Sequence, residues 1–175
     1  METILEKISS YNIFNNVIPG AIFCFFCKSY LNMDISGEGA LYNLCLFYFW
    51  GMVISRIGSL LVESISIRLK IVKYAPYHDY LIASNKNESI KTQLEVNNMF
   101  RTIASVFLCL IFLEGLAYIN NKMMDLIDMK FNFSFTLTLF FFLIFIIMMF
   151  AYRKQTSYIV KKVNFEIYQS SISEG

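Results

Sequence analysis

The sequence has 175 residues, of which 57% are hydrophobic, 17% aromatic and only 16% charged, against roughly 45–50% apolar and about 25% charged in soluble globular domains. Such a chain lacks the polar surface to cover a water-soluble globule, and once spans of about 20 apolar residues each are allotted no separate soluble enzyme domain fits. The formal net charge of +2 gives no indication of nucleic acid as a partner, so the information lies in where the charges fall.

The start, METILEKISSYNIFNN, places Glu2 and Glu6 beside Lys7. It lacks the basic region and small-residue cleavage site of a secretory signal, so the amino terminus is expected to be retained. The first apolar stretch, Phe14 to Met33, contains Asn15, Asn16, Pro19 and Lys28; it reads as a span, with a re-entrant or interfacial segment as the alternative. The missing donor of Pro19 and the flexibility of Gly20 predict a kink or unwound turn, a hinge candidate, against the plainer reading of a helix start with Pro in its first turn. Cys24 and Cys27 form a CxxC that invites comparison with membrane disulfide oxidoreductases. Those need a second, outward-facing pair, whereas the other two of the four cysteines, Cys45 and Cys109, lie in apolar stretches, where a free thiol acts as a small hydrophobe. Helix packing is the better account.

The connection Asp34 to Ala40 carries acids and no base, and the second stretch, Leu41 to Val62, comes next. Gly51, Ser55 and Ser59, with Gly58 beside them, put small residues on one face, which permits close approach of another helix in lipid. Arg56, seven residues from Glu63, lies roughly 10 Å from the boundary by helix rise and can snorkel to it.

From Glu63 to Arg101 the chain is rich in bases: Arg68, Lys70, Lys73, Lys86, Lys91 and Arg101. SISIRLKI alternates in period two, but its place directly after a span favours a continued amphipathic helix over a strand. Ala75-Pro76 ends that element. Tyr74, Tyr77, His78 and Tyr80 read as residues that pack a stalk or touch a cytoplasmic partner. The lone histidine has no Cys or Glu cluster with which to bind zinc. Asn87 or Ser89 can cap a helix running through the third stretch, Thr102 to Ile119; a helix over 88–119 would be roughly 48 Å long. Within it Glu114 stands at about the height of Lys28, and an intramembrane charge needs a partner, water or a route to the headgroups. These two are therefore expected to pair.

The connection Asn120 to Lys130 is base-poor and leads into the fourth stretch, Phe131 to Tyr152, whose core FTLTLFFFLIFIIMMF carries no charge. The tail holds Arg153, Lys154, Lys161 and Lys162, and Ile159, Val163 and Ile167 recur every four residues. By the positive-inside rule the two basic segments are cytoplasmic, and an even number of spans puts both ends there. The expectation is an all-α polytopic membrane protein: a four-transmembrane-helix bundle with spans at about 14–33, 41–62, 102–119 and 131–152. Cytoplasmic helical extensions are expected at 63–101 and 153–175. No nucleotide-binding or zinc-protease motif occurs, no polar constellation of the kind catalysis needs is evident, and no catalytic residue, metal site or cofactor is indicated.

YNIFNNVIPGAIF and GMVISRIGSLLVE resemble segments of small multi-spanning bacterial membrane proteins, and the overall plan is similar to membrane components of phage-defence operons. The resemblance implies a bacterial inner-membrane effector or its regulator, homo-oligomeric and controlled from the cytoplasmic side. The expected function is an oligomeric channel or pore assembled through the small-residue face and controlled from its cytoplasmic side; the alternative is a non-conducting interaction protein, immunity-like or sensor-like, that binds a protein partner. The polar residues Asn43, Arg56, Glu114, Ser134, Thr136 and Thr138 do not form a continuous pore-lining row.

Overall fold

A computed structural model describes residues 2–33, 35–122 and 134–173, with side chains placed for 15–33, 35–119 and 134–172. Most of the expected connection at 120–130, the first residues of the stretch at 131–152, and Asp34 lie outside the described residues. Among those described, every regular element is helical: α1 (Glu2–Tyr30), α2 (Ala40–Ile57), a π-helical turn (Gly58–Glu63), α3 (Ser64–Arg68), α4 (Tyr77–Lys86), α5 (Ser89–Lys122) and α6 (Phe135–Ser173).

Among the described residues, three helices are long and apolar enough to cross a membrane: Ala40–Arg68, Ser89–Ile119 and Phe135–Ile172. The chain is thus an all-helical protein compatible with residence in a bilayer, where a helix satisfies its own backbone. Residues 14–30 of the stretch expected at 14–33 form the second half of α1, which starts at Glu2, well before the expected boundary, and ends at Tyr30. Pro19 therefore sits deep inside the helix rather than in its first turn, and no unwound turn interrupts α1 there.

Local chemistry explains the ends. Asn43 in the first turn of α2 accepts the Gly37 amide at 2.9 Å and donates to the Gly37 carbonyl at 3.0 Å, tying the preceding loop to the helix. Gly39 enters the helix at φ 98°, a conformation that suits a residue without Cβ. The lower end of α2 widens into the π turn and continues as α3, so SISIR is helical. Pro76 precedes α4 in an extended conformation. Asn87 is the joint between α4 and α5: its Oδ1 accepts the Ser89 amide at 3.2 Å and its Nδ2 donates to Glu166 on α6 at 2.7 Å.

At 1.5 Å per residue, α5 and α6, with 34 and 39 residues, are roughly 51 and 58 Å long, against a hydrocarbon core of about 30 Å. α5 is the central helix, packing on α1, α2, α4 and α6; α1 pairs with α2, whereas α2 and α6 do not pack on each other. The interior of the long bundle holds Phe23, Cys24, Cys27, Leu31, Ile54, Val106, Leu110 and Phe141. Phe141 meets Phe26 edge-on at 4.9 Å between centroids, a favoured aromatic geometry. A separate small core of Ala83, Ile90, Ile159 and Val163, flanked by Tyr80, Leu94 and Ile167, binds α4, α5 and α6 into a stalk.

Candidate functional site

The small-residue face of α2 is spent inside the chain, on two different helices. A Cβ on Gly51 would strike the Asn16 backbone of α1, and one on Gly20 would strike the Phe47 carbonyl and lie 2.8 Å from the Gly51 nitrogen. Gly20 and Gly51 together therefore mark the point where α1 and α2 touch backbone to backbone. In lipid, where apolar burial does not drive association, such an approach supplies the packing that holds helices together. Ser55 and Gly58 turn to α5 instead: the Thr102 hydroxyl donates to Ser55 Oγ at 3.4 Å, and a Cβ on Gly58 would meet Ser105 Oγ. Ser59 faces along its own helix and donates to Glu63 at 3.5 Å. Gly20, a hinge candidate by sequence, is thus a packing residue. Pro19 is buried in the same contact region.

The expected Lys28–Glu114 pair is not formed. Lys28 is exposed, and its Nζ donates to Ser36 Oγ at 3.2 Å in the connection to α2. Glu114 is fully buried; one carboxylate oxygen accepts the Ser134 amide at 3.2 Å ahead of α6, and the other has no hydrogen-bond partner among the described residues. Equal height along two helices does not bring side chains together, and the long Lys28 stem carries its ammonium out to the loop.

Arg56 is exposed on the rim of a polar hollow of about 350 Å³ that also contains Asn15, Asn16, Ser55, Glu95 and Arg101. From this hollow a polar spine runs down between α5 and α6. Arg101 donates to Glu63 at the end of the π turn, with side chains only 12% and 25% exposed respectively. Tyr152, beside Arg101, shares a hydrogen bond with Tyr74. One turn lower, Thr156 Oγ1 donates to Asn97 Oδ1 at 3.1 Å, and below that Gln155 Nε2 donates to the Gln93 carbonyl at 3.3 Å. Burial, and then the bond to Tyr152, holds the Tyr74 phenol far above the ordinary tyrosine range, so it stays neutral and able to donate. Arg101 Nε, Asn97 Nδ2 and Gln93 Oε1 are buried without partners, an uncommon concentration of unmet polar atoms along one interface. Sequence reasoning missed this spine, although Gln93, Asn97 and Arg101 recur at helical spacing of four.

The aromatic group of the basic segment divides. Tyr80 packs against the stalk core, and burial pushes its phenol up. Tyr77 is 74% exposed, and His78 stands in solvent with Nδ1 3.7 Å from Asp79. On the stalk, α6 leaves Tyr158, Phe165 and Ile172 exposed at intervals of seven residues, with Tyr168 also exposed. Tyr158 and Phe165 line a shallow hollow with Lys161, Lys162, Gln93 and Gln155. No group of three or more His, Cys, Asp or Glu side chains among the described residues is placed to hold a metal. The described residues thus assemble a polar spine between α5 and α6 flanked by exposed apolar side chains on the stalk. No protein-family model, curated protein or solved structure matches the chain.

Proposed function

We propose that the chain is a four-span protein of the bacterial inner membrane with both ends cytoplasmic. We read it as a non-conducting interaction subunit whose stalk binds a helical, acidic protein partner and relays that binding to the bundle. A membrane component of a phage-defence system is one setting that suits this role. The second half of α1, held to α2 at Gly20 and Gly51, supplies the fourth span, and the bases of 63–101 and 153–175 set the orientation.

The observation that carries the reading is the apolar stripe Tyr158, Phe165 and Ile172 on the stalk. Large exposed apolar side chains are ordinary where lipid covers them, but on a helix that projects into water a stripe at seven-residue spacing fits a partner helix. Its charge argues for a heterologous partner: beyond Tyr152, α6 carries Arg153, Lys154, Lys161 and Lys162 against the single acid Glu166, so two copies would set like charges together. One fact weighs against a pore: the small-residue face that would join the copies is already engaged within the chain.

A photo-cross-linking residue at position 165, used in cells, tests the reading. A discrete heterologous adduct that disappears when Tyr158 is changed to Glu is expected. A ladder of multiples of the 20.4 kDa chain, together with ion flux in liposomes, would replace this reading by the oligomeric channel.

A further inference from the structure

The lower ends of α2 and α6 stand apart, and the gap between them is a cleft of about 450 Å³. One wall runs from the π turn through α3 to its cap, with Val62, Ile65 and Leu69; the other is α6 from Phe145 to Arg153, with Leu108 of α5 at the back. The lining is apolar except for Ser66, whose hydroxyl donates to the Val62 carbonyl, and Arg153, which is exposed at the lower end. We propose that this cleft is a binding site for one anionic phospholipid of the cytoplasmic leaflet, its acyl chain lying along Phe145 to Met149 and its phosphate paired with Arg153. The proposal rests on the membrane-spanning, positive-inside reading above.

The order of the lining favours a lipid over a protein helix as the occupant: the α6 wall is apolar from Phe145 to Phe150 and its one charge, Arg153, stands at the end beyond it, hydrocarbon-like surface closed by a cation. Charge selects the headgroup. Arg153 lies one residue beyond the apolar stretch that ends at Tyr152, at headgroup depth, and Arg68 and Lys70 flank Leu69 in the chain. A guanidinium presents a planar fork that matches phosphate oxygens. The π turn and α3 do not pack on α6, which leaves the groove between them open.

Native mass spectrometry of the detergent-purified full chain, titrated with phosphatidylglycerol or phosphatidylcholine, tests this. The expected result is one retained lipid per chain, with phosphatidylglycerol preferred about fivefold, the weight of one arginine near an anionic surface. Arg153→Gln should remove the preference while leaving retention. Ile146→Trp and, on the opposite wall, Ile65→Trp should each abolish retention by filling the groove. Equal retention in both tryptophan variants overturns the site, as does a dimer joined through cysteines placed at 146. Extraction of the chain from membranes by alkaline carbonate would instead overturn the membrane reading beneath it, so the two failures are distinguishable.

Discussion

Replacing Glu63 by Met is expected to destabilise the protein more than replacing its partner Arg101 by Met, even though both changes break the same ion pair. Losing one member of a buried pair typically costs about 3–5 kcal/mol, because the survivor is left charged and uncompensated. Here the two survivors differ. Arg101, with its side chain 12% exposed and Nε already without a partner, has little access to water, whereas Glu63 is 25% exposed and keeps the Ser59 hydroxyl within 3.5 Å. The cost of Glu63→Met should therefore sit near the low end of the range, about 3 kcal/mol, and that of Arg101→Met nearer 2 kcal/mol. The double variant leaves no lone charge and should cost about 3 kcal/mol rather than the additive 5, a coupling of about 2 kcal/mol. For a chain of this size each kcal/mol corresponds to roughly 2–4 °C. The intrinsic fluorescence of the one tryptophan, Trp50, followed on heating in detergent, resolves such differences. Additive losses, or a larger loss for Arg101→Met, would refute the account of how the spine is held.

Three further outcomes are expected from the geometry. Gly51→Leu and Gly20→Leu should each lower thermal stability by about 1–3 kcal/mol or more, because the obstructing atoms are backbone and cannot rotate away. Light scattering should find the assembly state of the surviving folded fraction unchanged; a smaller assembly at unchanged stability would return the face to an interface between copies. Lys28→Met and Glu114→Gln should combine additively, within about 0.5 kcal/mol, and a coupling above about 1 kcal/mol in the same melting assay would restore their pairing. Reporter fusions should place Glu38 and Asp125 outside and Asn85 and Gly175 inside, and Asn85 found outside would reverse the orientation.

The parts of the fold that were legible in the sequence are those set by repetition along one helix. The four-residue recurrence of Ile159, Val163 and Ile167 and the apolar Ile90 and Leu94 meet in one stalk cluster, because a period near 3.6 fixes which side of a helix is buried whatever covers it. The small face of α2 was visible for the same reason, but the division of Gly51 to α1 and of Ser55 and Gly58 to α5 was not. Spacing gives an azimuth on one helix and says nothing of which neighbour stands there. Lys28 and Glu114 show the converse limit, since residue counting gave height without azimuth. The Gln93, Asn97 and Arg101 series was equally periodic, yet polar residues on a helix bound for water read as a solvated face until α6 is seen lying on them. The π turn carries no sequence mark beyond Gly58, since a single widened turn leaves hydropathy unchanged.

The unbroken length of α5 has a mechanical consequence. It contains no proline, and Gly115 is the only residue along it without a side chain, so it has no evident joint and behaves as a rod. Arg101 clamps that rod to Glu63 with twelve residues on the Ser89 side and twenty-one on the Lys122 side, arms of roughly 18 and 32 Å. A tilt about that fulcrum turns a sideways push on the short arm into a displacement in the opposite direction at the far end, larger by a factor of about 1.8 in the ratio of those arms. A shift of about 1 Å where α4 meets α5, the scale of ordinary interface helix movements, would thus reach nearly 2 Å at Lys122 but about 1 Å at Glu114, thirteen residues from the clamp, so the carboxylate bonded to the Ser134 amide moves about as far as the stalk does, in the opposite direction.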